Sequence, residues 1–216
     1  MNEDDQDETV RAARLMTLAR TLLAKNPLVQ IKKHIRVVGF DDAPFRKNKD
    51  KKTWVIGTVT RGGDQVDGFM SFQVNVDGDE ATDSLIECVN RSRFKHQLQC
   101  IFLDGIAVGG FNLIDVQKLS LKTGLPVINV MRDYPDFEKM KSAMQKIGRL
   151  DKWEFIERAG LVSKVENLYV QSVGIRKDRI APLLKIVCTH SFIPEPIRLS
   201  HLIGAALVLG ESKGKA

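Results

Sequence analysis

Two stretches of this chain decide its fold: Ile35–Asp42 (IRVVGFDD) and Cys100–Gly105 (CIFLDG). Each is an apolar strand that runs directly into a carboxylate. Strands this apolar are normally central in a sheet and buried on both faces. An acid at the end of such a strand is held at the rim of the core by a rigid scaffold. If the two strands are neighbours, Asp41 and Asp104 form a carboxylate pair suited to a divalent cation.

Composition narrows the class of protein around these two strands. The chain has 216 residues, 43% hydrophobic and 28% charged, which is ordinary for a single globular domain. Its longest apolar runs reach about ten residues, half of what a membrane span requires, and its acidic start is no secretory signal. We therefore expect a cytoplasmic protein that does not enter a membrane. Three cysteines without Cys-x-x-Cys spacing indicate free thiols, and with four scattered histidines they form no recognised zinc motif.

The charge balance is compatible with a nucleic-acid partner. Lys plus Arg outnumber Asp plus Glu by 33 to 27, a net charge of +6. Arg46 and Lys47 open a basic loop that would suit backbone phosphates. For any single one of these residues, the alternative is an ordinary solvated surface charge. Aromatic residues make up only 6% of the chain, so the composition does not indicate a stacking platform for single-stranded nucleic acid.

The N-terminal part of the chain differs from the rest. Residues 1–30 contain an acidic start and a helix, predicted over 8–25 from its apolar spacing and ended by Asn26-Pro27. This helix could cap the domain or mediate a homodimer, and the sequence leaves both open. Residues 31–216 contain the strands above and are expected to form the main domain.

Within the main domain the pattern predicts three strands first, then alternating helices and strands. Strands are predicted at 34–40, 53–60, 66–76, 98–103, 126–131 and 167–173, and helices from about Thr82, over 112–123, 135–147, 150–159 and 196–209, with either a helix or a strand–helix pair over 175–189. Asn112 is the expected N-cap of the 112–123 helix, and Gly124 its stop. Asp115, one turn into that helix, is expected to be exposed. The fold class is α/β, a mixed sheet of three antiparallel strands followed by parallel strands, with helices on both faces.

This order, β-β-β-α-β-α-β-α, is that of the ribonuclease H-like architecture, in which the first and fourth strands lie side by side. Asp41 and Asp104 would then meet at the centre of the sheet. Two close carboxylates repel, and this raises one pKa unless a cation such as Mg²⁺ or Mn²⁺ lies between them. Asp42 faces the opposite way from Asp41 and would support the site from behind or be exposed. The alternative is that both acids simply begin loops.

Five motifs identify a family. They are VVGFDDAPF (37–45), DGDEATD (77–83), FLDGIAVGGFN (102–112), TGLPV (123–127) and PEPIRLSHLIGAA (194–206). As a set they resemble the archaeal endonuclease dU family, a relative of endonuclease V, over about residues 34–214. The resemblance implies a ribonuclease H-like fold and metal-dependent cleavage of DNA near a deaminated base, deoxyuridine.

The resemblance also implies roles for particular acids. Asp41 resembles the first-strand aspartate of endonuclease V, and Asp104 resembles the aspartate of its Val-Asp-Gly motif. Asp77 stands where the relative has a glutamate, which is one methylene longer. The third metal ligand is therefore open between Asp77, Asp79 and Glu80. The alternative for each is a charge that favours the N-terminus of the following helix.

Two differences from endonuclease V limit which of its functional features we expect in this chain. Its Pro-Tyr-Ile-Pro wedge is missing from Gly68–Asn75, so reading of hypoxanthine is not supported. His201 is the nearest match to the relative's histidine on the last helix. Its neighbours Leu199, Leu202 and Ile203 favour a histidine packed against the core. As a functional residue it would support the metal ligands, as Asp42 would, rather than bind the ion.

Three further residues have two readings each. Arg198 could meet a phosphate or pair with a carboxylate. Gly109 and Gly110 lie in a glycine-rich loop between a strand and a helix, which could cradle a phosphate on backbone N–H groups. That loop lacks the Gly-x-Gly-x-x-Gly pattern, so a nucleotide cofactor is only weakly indicated.

The sequence supports one main hypothesis and two alternatives. The main one is a Mg²⁺- or Mn²⁺-dependent endonuclease acting in DNA repair on uracil-containing or otherwise damaged DNA. Asp41, Asp104 and Asp77 would hold the metal, and the product would carry a 5′-phosphate and a 3′-hydroxyl. The first alternative is a catalytically inactive nucleic-acid-binding module of the same fold. The second is a small-molecule phosphotransfer or hydrolase enzyme that uses the glycine-rich loop.

Overall fold

The computed structural model describes residues 31–212. The strands are β1 (Arg36–Asp42), β2 (Lys52–Arg61), β3 (Gln65–Asn75), β4 (Cys100–Asp104), β5 (Ala107–Val108), β6 (Asn112–Leu113), β7 (Val127–Met131), β8 (Ser163–Val165) and β9 (Leu168–Val173). The helices are α1 (Ala81–Arg91), α2 (Val116–Thr123), α3 (Phe137–Lys146), α4 (Trp153–Arg158), α5 (Lys177–Val187) and α6 (Glu195–Leu209), with a 3₁₀ turn at Leu150–Lys152. The helix predicted over 8–25 lies outside the described residues. None of the helices within 31–212 is long and apolar enough to cross a bilayer.

Seven strands form one mixed sheet in the order β3-β2-β1-β4-β7-β9-β8. β1, β2 and β3 are antiparallel, whereas β4 is parallel to both β1 and β7. β9 is antiparallel to β7 and to β8, a short strand that the sequence pattern did not predict. The predicted mixed sheet is confirmed, and so is the adjacency of the first and fourth strands.

The central strands are buried on both faces, as their composition predicts. Phe40 and Leu103 face one core, which α1 and α2 cover with side chains such as Leu85 and Leu119. Alternate residues of the same strands, among them Phe102, face the second core beneath α5 and α6. Helices therefore lie on both faces of the sheet. Successive residues of a central strand point alternately into one core and the other, because side chains along a strand repeat with a period of two.

Helix α6 lies unusually close to β1 because residue 39 is a glycine. A Cβ at Gly39 would lie 2.6 Å from the backbone nitrogen of Ile197 and 2.7 Å from the carbonyl carbon of Pro196. The hydroxyl of Ser200 donates a hydrogen bond to the carbonyl of Gly39 at 2.9 Å. This contact fixes α6 along β1, so the next residue of the helix lies above the end of the strand.

The start of α2 differs from the prediction. Asp115, not Asn112, is its N-cap, and the Asp115 carboxylate accepts the N–H of Lys118 at 2.9 Å. Asp115 is therefore buried, at 5% exposure, rather than exposed. Asn112 lies in β6 and caps α1 instead, because its Oδ1 accepts the N–H of Ala81 at 3.0 Å. The predicted stop at Gly124 is confirmed, since this residue has a φ of 68°.

Candidate active site

The ends of β1 and β4 bring two acids to one edge of the sheet. Phe40 is paired with Leu103 in the parallel ladder, so the residues that follow, Asp41 and Asp104, lie at the same level on neighbouring strands. Residues in register on parallel strands point to the same face of a sheet. Both carboxylates line a single cavity of about 520 Å³. The structure therefore brings the two predicted acids together.

Asp41 is the more deeply placed acid. Only 6% of the residue is exposed. Burial, and then repulsion from Asp104 and Asp42, raise the pKa of its carboxyl to about 8. The backbone N–H of Asp42, which donates to Asp41 Oδ1 at 2.9 Å, and the charge of Arg132 oppose this rise. Without a cation, this carboxyl therefore favours its protonated form at neutral pH.

His201 reaches the same carboxylate from α6. Its Nδ1 lies 2.9 Å from Asp41 Oδ2, a contact between residues 160 positions apart in the chain. The side chain is 29% exposed, so it is not packed in the core as its apolar neighbours suggested. His201 directly follows Ser200, whose hydroxyl is hydrogen-bonded to the carbonyl of Gly39 and fixes this part of α6 on β1.

Asp42 supports the glycine-rich loop. Its Oδ2 accepts the N–H of Gly109 at 2.9 Å, and burial raises the pKa of its carboxyl. Gly109 and Gly110 have φ values of 59° and 88° and connect β5 to β6. The loop is thus the turn of a two-stranded ribbon rather than a strand-to-helix connection. The Gly109 N–H is committed to Asp42 and is not free to cradle a phosphate.

Asp77 is attached to the other side of that loop. Its Oδ1 accepts the N–H of Phe111 at 2.8 Å, while its own N–H donates to the carbonyl of Gly109 at 2.8 Å. This geometry places Asp77 in the left-handed region, with a φ of 53°. Asp77 does not belong to the residues that line the cavity with Asp41 and Asp104.

The two substitutes for Asp77 are also engaged elsewhere. Asp79 pairs with Arg149 at 2.6 Å, and the Glu80 carboxylate accepts the backbone N–H groups of Asn75 and Asp79. Across residues 31–212, no three His, Cys, Asp or Glu side chains converge as a preformed metal site. The acids of this edge therefore act as a pair, with the 77–80 segment bracing the loop beside them.

Four further polar residues line the cavity without having been predicted from the sequence: Arg132, Asp133, Tyr134 and Gln171. Arg132 follows β7, and its Nη1 lies 3.4 Å from Asp104 Oδ2. Gln171, on β9, lines the inner wall with apolar residues such as Ile106 and Phe137. The signal for Arg132 was present, since it follows a third buried parallel strand that ends at the same edge. Gln171 gives no such signal, because its strand joins the sheet in the antiparallel sense.

The predicted phosphate-binding side chains lie apart from the carboxylate pair. Arg46 forms a two-point ion pair with Asp50, at 2.9 Å and 3.3 Å. Lys47 lies over the ring of Phe111, 5.4 Å from its centre. Arg198 donates two hydrogen bonds to the buried carboxylate of Glu195, from Nη2 to Oε1 at 2.5 Å and from Nε to Oε2 at 2.9 Å. For Arg198, the structure selects the carboxylate-pairing alternative.

The donor set at the sheet edge fits a small divalent cation. Mg²⁺ prefers oxygen ligands, and proteins usually hold it through one or two carboxylates while water and substrate phosphate complete its shell. Asp41 and Asp104 supply those two carboxylates. A cation between them would also remove the repulsion that raises the pKa of Asp41.

Comparison with known proteins identifies the family. The model of the endonuclease dU family matches residues 33–208. The chain belongs to the endonuclease dU family. A similar UPF0215 protein from Methanothermobacter thermautotrophicus is 46% identical over 194 residues, which cover 87% of this chain and 94% of the relative.

Solved structures extend the comparison to the fold. A crystal structure of an Archaeoglobus fulgidus protein has a TM-score of 0.75 and 39% identity, covering 80% of this chain and 98% of that one. Endonuclease V from Ciona intestinalis, in complex with a DNA that contains an inosine, has a TM-score of 0.54 at 15% identity. The structural match covers 91% of this chain and 95% of the Ciona chain. This endonuclease dU family member therefore has the ribonuclease H-like fold of endonuclease V, and family and fold together support a nuclease.

Proposed function

We propose that this protein is a Mg²⁺- or Mn²⁺-dependent endonuclease that cleaves DNA at or near deoxyuridine in DNA repair. One observation carries the proposal. Asp41 and Asp104 end adjacent parallel strands and line one cavity, in which burial, and then repulsion from Asp104, raise the pKa of Asp41. A divalent cation bound beside the pair would oppose this rise and favour two ionised carboxylates.

Asp41 and Asp104 are the residues that would hold the ion. A divalent cation bound there supplies positive charge to a phosphate oxygen and lowers the pKa of a water molecule. His201 Nδ1 lies 2.9 Å from Asp41 Oδ2, so this ring orients the carboxylate and can exchange a proton with it. Arg132 adds a positive charge on the Asp104 side of the cavity, where a phosphate would approach.

The cavity beside the acids is large enough for a base. Its volume of about 520 Å³ lies within the range of small-ligand sites, and its lining combines apolar residues such as Ile106 and Phe137 with polar ones such as Gln171. Enzymes that act at a damaged base commonly turn it out of the helix into such a pocket. The complex of Ciona endonuclease V with an inosine-containing DNA supports DNA as the partner.

The test is cleavage of a labelled oligonucleotide with a single deoxyuridine, in Mg²⁺ or Mn²⁺. Asp41→Ala and Asp104→Ala should each lower the rate by about 10³-fold, because loss of a bound metal removes several kcal/mol of stabilisation. Asp83→Ala is the matched control, since that acid is exposed on α1 and pairs with Lys118. Cleavage that survives both active-site substitutions would refute the assignment.

One observation favours a second candidate, a catalytically inactive nucleic-acid-binding module. No group of three potential ligand side chains converges within residues 31–212. This candidate predicts DNA binding that weakens with salt and no cleavage under any divalent cation. The same labelled oligonucleotide, followed by a gel-shift assay and a cleavage assay, separates the two.

A further inference from the structure

A second groove lies beside the carboxylate pair on the face covered by α6. The groove has a volume of about 580 Å³, and its apolar lining residues include Phe45, Trp54, Val208 and Leu209. Trp54 is 36% exposed, Val208 46% and Leu209 50%, so the groove presents a solvent-facing apolar floor. Exposed apolar surface of this kind, enclosed by polar residues, commonly marks a binding site.

The chain connects this groove directly to the site. Phe45 follows Asp41 by four residues, and the intervening Ala43 donates its N–H to the carbonyl of Trp54 at 2.8 Å. Along α6, a Cβ at Gly204 would meet the Cα of Ala43 at 3.0 Å. His201, Gly204 and Val208 are spaced three and four residues apart, so they share one face of the helix. The helical rise places the groove about 10 Å from the Asp41–His201 contact.

The shape and polar rim of the groove fit a flat heterocycle. Trp54 is paired across the ladder with Gln73, so the indole and an amide lie side by side on the same face. Gln73 lines the groove and offers hydrogen-bond donors, whereas Arg46 and Asp50, which also line it, are paired with each other. Aromatic side chains stack on any base, and base–aromatic stacking tolerates sequence variation.

The charge around the groove indicates an anionic chain. Residues 46–52, which run from the β1–β2 loop to the first residue of β2, contain five basic side chains and one acid. All five of these basic residues are exposed, namely Arg46, Lys47, Lys49, Lys51 and Lys52. A basic loop beside an aromatic floor is the combination that single-stranded nucleic acids require.

We propose that this groove is a stacking subsite for an unpaired nucleobase of the substrate strand, a few nucleotides from the cleaved phosphate. Trp54 and Phe45 stack on the base, and the 46–52 loop holds the adjoining phosphates. At a stacked spacing of about 3.4 Å per nucleotide, a separation of about 10 Å corresponds to roughly three nucleotides. The proposal rests on the proposed function, since it assumes that the strand bound here is the strand cleaved at Asp41 and Asp104.

The test combines a scan of the DNA with one substitution. A single abasic residue is moved through a single-stranded deoxyuridine oligonucleotide, and affinity is measured by fluorescence anisotropy in EDTA, where metal-dependent cleavage cannot interfere. The wild-type protein should lose about 5- to 150-fold in affinity at one position within a few nucleotides of the deoxyuridine. Trp54→Leu should bind the intact DNA more weakly by a similar factor and show no further loss at that position.

Phe69→Leu is the matched control, because Phe69 is 56% exposed on β3 and does not line the groove. It should retain the wild-type pattern of the scan. Thermal unfolding of both variants checks that the sheet is intact. An affinity that is independent of abasic position, or a Trp54→Leu variant with the same position-dependent loss as wild type, would overturn the subsite. So would a change of oligomeric state in Trp54→Leu during sedimentation without any change in DNA binding, which would identify a second copy as the occupant.

The outcomes separate the subsite from the proposed function. Position-dependent affinity without cleavage in Mg²⁺ or Mn²⁺ would leave the groove supported and the nuclease refuted. Cleavage at deoxyuridine with no coupling between Trp54 and any nucleotide would refute the groove alone.

Discussion

Asp41 Oδ2 and His201 Nδ1 lie 2.9 Å apart, joining the end of the first strand to the last helix. Burial, and then repulsion from Asp104, raise the pKa of the Asp41 carboxyl to about 8 in the metal-free protein, so at neutral pH this carboxyl favours its protonated form. When Asp41 is protonated its O–H donates to the ring, and when it is ionised the ring N–H donates to the carboxylate. The pair is therefore positioned to move a proton at the edge of the site.

Removal of the imidazole should slow cleavage. His201→Ala is expected to lower kcat by about 10²-fold, the lower end of what a positioned acid or base contributes. KM should change much less, because the side chain contacts Asp41 rather than the proposed DNA-binding groove. Single-turnover rates on deoxyuridine DNA between pH 6 and pH 9 measure the effect. The exposed His96, replaced by alanine, is the control, and an unchanged pH profile in His201→Ala would contradict the proton-transfer role.

The raised pKa of Asp41 predicts a pH-dependent stability for the metal-free protein. The folded protein keeps a proton on Asp41 that the unfolded chain releases above about pH 4. The stability from this group is therefore complete below about pH 4 and is lost as the pH rises toward 8. The slope is at most about 1.4 kcal/mol per pH unit for one proton.

Thermal unfolding in EDTA between pH 5 and pH 9 measures this slope. The pH dependence of the melting temperature should be weaker in Asp41→Asn than in the wild type, because the amide does not titrate. Added Mg²⁺ should raise the melting temperature more at pH 8 than at pH 6, since the ion competes with the proton for the same oxygen. Equal stabilisation at both values would show that Mg²⁺ does not bind at Asp41.

The sequence was sufficient where a local pattern determines structure. Apolar runs that end in Asp41 and Asp104 predicted the central strands and the acid pair, and Gly124 predicted a helix stop. The sequence was insufficient where a contact with a residue far away in the chain determines the local structure. Asn112 looks like the cap of the following helix, yet it caps α1, 31 residues earlier, because the β5–β6 ribbon brings it there.

Long-range packing also hid two features of the site. The neighbours of His201 in the chain are apolar, so only the close contact between Gly39 and α6 shows that the ring faces Asp41. The groove between Phe45 and Trp54 needs the β1–β2 pairing and the end of α6 together. An aromatic content of 6% gave no sign of it, since two well-placed rings are enough.

Arg198 should matter for folding and not for DNA binding. The Glu195 carboxylate is buried, at 4% exposure, and Arg198 is its two-point partner. Arg198→Met is expected to lower the free energy of unfolding by about 1–3 kcal/mol, because the buried Glu195 carboxylate loses its two-point partner and is left with the 3.3 Å contact with His190 Nδ1. The affinity for DNA should stay within about twofold of wild type, a change well under the 1.4 kcal/mol of a tenfold effect.

Chemical denaturation and anisotropy measure the two quantities separately. Arg176→Met is the control, because its pair with Asp178 is exposed and such pairs contribute little. The double substitution Glu195→Gln with Arg198→Met should recover part of the loss. A weaker dependence of DNA binding on salt in Arg198→Met would instead indicate a phosphate contact.

Asp77 offers the sharpest distinction between a structural acid and a metal ligand. Its Oδ1 accepts the N–H of Phe111, a bond that an asparagine oxygen can also accept, whereas alanine cannot. If Asp77 only braces the loop, Asp77→Asn should keep cleavage within a few-fold of wild type. Asp77→Ala should lose about tenfold or more, because the freed loop also releases the Gly109 N–H that fixes Asp42.

Cleavage rates and Mn²⁺ affinity measured by isothermal titration decide between the two roles. A bracing role predicts that Asp77→Asn binds Mn²⁺ as wild type does, since the charge of residue 77 does not reach the cavity lined by Asp41 and Asp104. A ligand role predicts the reverse order of severity, with Asp77→Asn as inactive as Asp104→Ala. Neutralising a carboxylate ligand removes both its charge and one coordinating oxygen, even when the loop is intact. The comparison of asparagine with alanine therefore separates loss of charge from loss of the hydrogen bond that shapes the loop.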